Sequence, residues 1–243
     1  MTDAMLRIYP SVGDLQDACA EQVAQALKST SDGQTMTIAL SGGSTPRRMH
    51  EILAQRPHID WSRVHVFWGD ERTVPPDHEE SNFRMAKESL LDRVSIPENQ
   101  IHRMAGEKDP DVAAQEYEQK IGAVFGVRPP NMPRFDVVLL GMGADGHTAS
   151  LFPGTDALKV HDHYAVANHV PQQNTDRLTL TFPVLNSARL VIFMVAGADK
   201  ADAVQRCLEG SKDVPPAGQV QPADGQCRWL LDSEAATRLT TGH

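Results

Sequence analysis

Apolar and polar positions along the chain switch between two periods, and the switches mark out its elements. After Asp14, the residues Leu15, Ala18, Cys19, Val23, Ala26 and Leu27 share one face of a 3.6-residue period and predict a helix. Residues 35–40 then predict a strand. Ser41-Gly42-Gly43-Ser44-Thr45-Pro46 follows, with Pro46 suited to the first turn of a helix reaching about residue 55. Residues 64–68 form the next predicted strand, ending at Gly69-Asp70-Glu71-Arg72. Helices are predicted from about residue 81 to 94, and from Asp109-Pro110 to about Gly126. The almost wholly apolar run 135–140 reads as a central parallel strand. It gives way to Gly141-Met142-Gly143-Ala144-Asp145-Gly146-His147. Strands are also predicted at 164–170, 177–182, 190–196 and 228–231. A helix is expected at about 199–208, a Pro/Gly-rich loop at 212–226, and a terminal helix capped by Ser233.

This alternation predicts a Rossmann-like, doubly wound α/β fold, a mostly parallel sheet with helices on both faces. No linker-like segment interrupts it, so residues 1–243 are expected to form a single domain. About 34 residues precede the first predicted strand, and their helix looks like part of the core. Ligands of such sheets bind beyond the carboxyl ends of the strands, where all the unusual loops lie.

Composition and charge narrow the function. The 243 residues, 40% of them hydrophobic, are enough to bury a core. Lys and Arg number 23 against 32 Asp and Glu, a formal charge of −9. Such a surface lacks the footprint of a duplex binder, and aromatic residues at 5% are too few for a base-stacking platform, so no nucleic-acid partner is expected. The same charge repels anionic ligands at long range, so a phosphate would need positive charge placed locally. Cys19, Cys207 and Cys227 form neither a disulfide framework nor a zinc motif, which fits a cytoplasmic location. Asp3 and Arg7 interrupt the N-terminus where a leader would be apolar. The longest apolar run, 190–196, is far short of the roughly 20 residues of a membrane span.

Several loops carry candidate chemistry. In Ser41–Pro46, Gly42 and Gly43 let the backbone approach a ligand, Ser44 and Thr45 add hydroxyls, and the following helix presents free N–H groups. That composition suits a phosphate cradle, although a capped strand–helix turn has the same letters. The Gly-Lys-Ser/Thr ending of a Walker loop is absent. In Asp70-Glu71-Arg72, Arg72 is a candidate phosphate clamp and Asp70 a candidate acceptor for a sugar hydroxyl, against the alternative of a solvated charged loop. One or two of the three should face the site. Gly141–Gly146 formally matches GxGxxG, but Asp162 precedes the next strand where a dinucleotide site expects an acid to end it. His147, in a glycine-rich loop beyond a central strand, is placed for proton transfer, with Asp145 close enough to orient it. Arg177 and Lys200 are candidate phosphate ligands or plain surface charges. His161, His163 and His169 form no complete metal pattern. No GxSxG elbow supports a serine nucleophile.

Taken together, residues 41–46, 67–72, 75–78 with Ser81 and Asn82, 141–153, 177–186 and 229–232 resemble the 6-phosphogluconolactonases of the glucosamine-6-phosphate isomerase/6-phosphogluconolactonase family. The Asp145-Gly146-His147-Thr148-Ala149-Ser150-Leu151-Phe152 block is the most specific of these pieces. The resemblance implies a cytoplasmic hydrolase of the pentose phosphate pathway that opens 6-phospho-D-glucono-1,5-lactone, with no cofactor and no metal. Its partner would be that small sugar-phosphate lactone, with no membrane, in a monomer or weak homodimer. His147 is then expected to be the general base, with Asp145 beside it. Arg72, Arg177, Lys200 and the loop bearing Gly42, Gly43, Ser44 and Thr45 would hold the phosphate, and Asp70 a hydroxyl. Glucosamine-6-phosphate deaminase is the near competitor. Its pattern has an acid five positions after the histidine, where this chain has Phe152, and lacks the Gly69–Arg72 arrangement. A non-catalytic sugar-phosphate sensor and a dehydrogenase are the further alternatives; binding without turnover would mark the first, and NAD(P) binding the second.

Overall fold

A computed structural model describes residues 5–28, 34–210 and 212–240. Asp3, read above against a leader, lies outside the described residues. The central sheet has six parallel strands in the order β1 (Met5–Tyr9), β9 (Gln226–Asp232), β8 (Leu190–Val195), β5 (Val137–Leu140), β2 (Met36–Leu40) and β3 (Val64–Trp68). Every residue of β2, β5 and β8 is buried, which explains why these strands are apolar but for Thr37, whose hydroxyl is bonded to Asp136: helices or a second sheet cover both faces.

Successive residues of each strand point to opposite sides. Ile38, Leu40, Val137, Leu139 and Ile192 pack against α1 (Val12–Lys28), α2 (Ser44–Leu53) and α3 (Asn82–Ser89). Ala39, Phe67, Val138, Leu140 and Phe193 meet α4 (Pro110–Phe125), α5 (Phe182–Leu185) and α6 (Ala201–Leu208). In α1 the buried stripe runs through Leu15, Cys19, Val23 and Leu27 as expected, widened by Ala20 and Ala24, while Ala18 and Ala26 sit at its flank. α4 starts and stops at the expected signals. The Asp109 carboxylate accepts the Asp111 and Val112 N–H groups, and Gly126 closes the helix in the left-handed conformation. From α4 the buried Tyr117 hydroxyl accepts the Trp68 N–H at 2.8 Å and donates to the Trp68 carbonyl at 2.9 Å, clamping the end of β3.

The fold departs from the sequence reading in four places. β1 precedes α1, so the first strand begins at Met5, not near residue 35; it lies half-exposed at the sheet edge, with no buried apolar face to mark it. Gly69–Arg72 is not wholly loop, because β4 (Asp70–Arg72) pairs antiparallel with β7 (Thr175–Leu180), which pairs with β6 (Ala165–Val170). The expected strands at 164–170 and 177–182 therefore build a separate three-stranded sheet. α3 stops at Ser89, with a 3₁₀ turn at Leu91–Arg93. Ser233 caps no terminal helix: residues 233–238 are turns, the Ser233 hydroxyl donates to the Pro10 carbonyl, and Asp232 takes the Ala235 N–H.

The order of the strands sets the site. From β2 the chain steps outward to β3, then returns to the other side of β2 for β5, β8 and β9. The loops leaving β2 and β5 thus diverge, opening a crevice at their carboxyl ends. No helix among the described residues is long and apolar enough to cross a membrane.

Candidate active site

That crevice is a cavity of about 260 Å³. Its wall includes Gly42, Gly43, Ser44 and Thr45 after β2, Asp70 and Arg72 on β4, His147 after β5, and Lys200 after β8. All the expected site residues line it except Asp145, which is hydrogen-bonded to the lining His147, and Arg177, which stands opposite the lining Arg72 in the small sheet. Asn82, Met142 and Met194 also line the cavity; Asn82 and Met142 lie in segments that carry the resemblance, whereas nothing in the sequence around Met194, at the end of a buried strand, points to the site.

On one side the loop after β5 builds a histidine–carboxylate pair. Asp145 Oδ1 lies 2.6 Å from His147 Nδ1 and accepts the His147 backbone N–H at 3.0 Å. An ionised carboxylate only accepts, so Nδ1 carries a proton in this pair, and in the neutral ring Nε2 is the nitrogen with the free lone pair. The ring stacks on Phe152 at 4.0 Å between centroids and 22° between planes. The Gly143 N–H donates to the His147 carbonyl at 3.0 Å, closing the loop. A β-carbon on Gly143 would come within 2.2 Å of the imidazole, so the ring occupies space that only glycine leaves free. No helix follows Gly146, so the Gly141–Gly146 segment lacks the helix N-terminus that a dinucleotide pyrophosphate requires.

The opposite side is built for an anion. α2 begins at Ser44 behind Gly43, and its N-terminal end faces the cavity. Gly42 permits close packing: a β-carbon there would fall 1.8 Å from the Asn82 side-chain oxygen. β4 splits its three charged residues by the strand period. Asp70 and Arg72 face the cavity, while Glu71 is buried and accepts the backbone N–H groups of Asn82 at 2.7 Å and Phe83 at 2.8 Å. Burial holds the Glu71 carboxyl above its ordinary value, and these bonds offset only part of that rise. Glu71 therefore anchors α3 and is no ligand for a substrate.

Arg72 and Arg177 face each other directly across β4 and β7. Arg72 Nη1 donates to the Glu80 carbonyl and Arg177 Nη2 to Gln173. The Nε of each is buried without a hydrogen-bond partner among the described residues. Burial depresses the Arg177 pKa, and the adjacent Arg72 charge depresses it further. Two like charges with unsatisfied donors are costly unless an anion sits beside them. Lys200 pairs with Asp199 at 2.7 Å at the end of the 3₁₀ turn that leads into α6. The Gly197 N–H of the same loop is held by buried Asp232 at 3.1 Å.

The remaining histidines are accounted for elsewhere. His163 pairs with Glu118 and His169 with Asp176 at the surface, and His161 is exposed. Among the described residues no group of three or more His, Cys, Asp or Glu is arranged to hold a metal ion.

The sequence profile of the family described as glucosamine-6-phosphate isomerases/6-phosphogluconolactonase matches residues 10–229. The 6-phosphogluconolactonase of Synechocystis sp. is 47% identical over 206 residues, 84% of each chain. That of Mycobacterium tuberculosis is 38% identical over 244 residues, covering 96% of this chain and 98% of the other. Among solved structures, the 6-phosphogluconolactonase of Trypanosoma cruzi superposes with a TM-score of 0.89 at 28% identity, over 99% of both chains.

Proposed function

The chain belongs to the family of glucosamine-6-phosphate isomerases and 6-phosphogluconolactonases, and on that premise we propose that it is a lactonase. It hydrolyses 6-phospho-D-glucono-1,5-lactone to 6-phospho-D-gluconate, the ring-opening step of the oxidative pentose phosphate pathway. The observation that carries this reading is the Asp145–His147 pair, whose basic nitrogen belongs to a ring lining the same cavity as Arg72, Lys200 and the α2 N-terminus.

His147 Nε2 takes a proton from water as the oxygen attacks the lactone carbonyl. Asp145 stabilises the imidazolium that forms and keeps the ring in its productive tautomer. As the tetrahedral intermediate collapses, the imidazolium returns the proton to the departing ring oxygen. The acid product then ionises, so each turnover releases one proton. Water attack assisted by an imidazole uses neither an electron carrier nor a covalent enzyme intermediate, in keeping with the expectation of no cofactor.

The phosphate lies against Arg72 and Arg177, with Lys200 and the N–H groups at Gly42–Thr45 completing its shell. This local charge overcomes the −9 of the whole chain. Binding at the phosphate is remote from the carbonyl, so it serves to orient the lactone for attack. Phe152 favours the lactonase over the deaminase. Where the deaminase pattern puts an acid beside the histidine, an apolar ring stacks on it, leaving Asp145 as its carboxylate partner. The three cysteines are free, which suits a cytoplasmic enzyme. The test is proton release from freshly prepared 6-phosphogluconolactone, with glucosamine 6-phosphate assayed alongside. Turnover of the lactone alone supports the proposal, and turnover of the amino sugar alone refutes it.

A further inference from the structure

We propose that Ser150 is a positioning residue that fixes the Asp70 carboxylate for recognition of substrate hydroxyl groups, an inference that rests on the lactonase reading. Ser150 follows His147 by three residues and is buried. Its hydroxyl donates to Asp70 Oδ2 at 2.7 Å. Its backbone N–H donates to Thr179 Oγ1 at 3.2 Å, and its carbonyl accepts from Asn168 Nδ2 at 2.8 Å. Asp70, Thr179 and Asn168 stand on β4, β7 and β6, so each strand of the small sheet grips this one residue. The preceding residue, Ala149, lines the cavity with φ +47°, in the left-handed region that a β-carbon disfavours. The bonds at Ser150, together with the Thr148 hydroxyl held on the Gly141 carbonyl at 2.9 Å, keep that turn in place.

The other Asp70 oxygen, Oδ1, accepts from Asn82 Nδ2 at 3.2 Å, and the same Asn82 nitrogen donates to the Asp70 carbonyl at 2.9 Å. Both carboxylate oxygens are thus held by neutral donors, and among the described residues neither is ion-paired. A carboxylate opposes the binding of an anion, so its place in this cavity calls for donors on the ligand. Hydroxyl groups of a polyhydroxylated lactone are such donors, and an ionised carboxylate is a strong acceptor for them. Held on both sides, Asp70 meets them without reorienting. The Ser150 bond also joins the histidine loop to the strand that carries Arg72, so a single contact relates the two ends of the site.

A double-mutant cycle on kcat/KM for 6-phosphogluconolactone tests this. Asp70→Ala should lower kcat/KM by about 10- to 150-fold, the worth of a charge-assisted bond. Ser150→Ala should lower it by about 3- to 10-fold, and by less than about twofold when Asp70 is already alanine. Ser150→Cys keeps the shape with only a weak donor, and it should repeat the Ser150→Ala result if the alanine variant folds poorly. Equal losses in both backgrounds mean that Ser150 merely supports the loop and overturn the proposal; so does an unchanged kcat/KM in both Ser150 variants. If the wild-type protein binds 6-phosphogluconate without hydrolysing the lactone, the lactonase reading fails on its own. The cycle then runs on 6-phosphogluconate affinity with the same criteria.

Discussion

Gly143→Ala isolates the geometry of the histidine from the rest of the site. The β-carbon it adds would stand 2.2 Å from His147 Cε1 and Nδ1, and 2.7 Å from Asp145 Oδ1. Ordinary contact begins at 3.4 Å, so the ring must retreat by at least about 1.2 Å. Both neighbours are side chains of the proposed pair, and they can yield without unfolding the sheet. The pair is also partly exposed, with side-chain accessibilities of 27% for His147 and 45% for Asp145, so losing its hydrogen bond costs the fold little. A misplacement of about 1 Å at a reacting group costs about 10²-fold in rate. Gly143→Ala should therefore lower kcat by about 10²-fold while the melting temperature stays within a few degrees. Affinity for 6-phosphogluconate, measured by calorimetry, should fall far less, because Arg72, Arg177 and Lys200 are untouched. Wild-type kcat in this variant would show that the ring position seen here does not govern the chemistry.

Other perturbations read different parts of the structure. Arg177→Ala removes one of two facing guanidiniums, so the free protein should lose no stability, whereas kcat/KM for 6-phosphogluconolactone should drop by about 10- to 150-fold. An equal drop on unphosphorylated gluconolactone would refute the phosphate assignment. His50 is fully buried on α2 beside Ser89; burial, aided by Arg47, lowers its pKa to about 4 from an ordinary 6.5. The unfolded chain takes up this proton first, so the contribution of His50 is complete above pH 6.5 and fades as the pH falls toward 4, by roughly 3 kcal/mol in all. Urea unfolding at pH 7.5 and pH 5 should show about 2 kcal/mol of this loss in the wild type and a smaller one in His50→Leu, and parallel losses in both would contradict it.

How much was legible in the chain follows from where the signals lie. Glycine and proline punctuation, with runs that are apolar but for Thr37 and His65, marked β2, β3, β5 and β8, because the signal of a buried parallel strand is local in sequence. β1 carries Met5 and Ile8 partly in solvent, so no clean period announced it. The letters Asp-Glu-Arg offered Asp70 and Arg72 as candidates, but the pairing of β4 with β7 joins residues about a hundred positions apart, so the turn of Glu71 into the core to hold α3 was not legible. His147 with Asp145 was readable because its geometry spans two residues. The Ser150–Asp70 contact, spanning eighty, was not. Ser233 shows the converse error, a good local cap signal diverted by a long-range bond to Pro10.

The central claim is that His147, oriented by Asp145, activates water against a phosphorylated lactone. It is tested most directly by proton release from fresh 6-phosphogluconolactone with the wild type and with His147→Asn, over the spontaneous rate and with 6-phosphogluconate binding as the control for a formed site. The account predicts catalysis by the wild type, and a kcat about 10²- to 10⁴-fold lower in a variant that still binds the product. Near-normal turnover by a folded His147→Asn protein would contradict it.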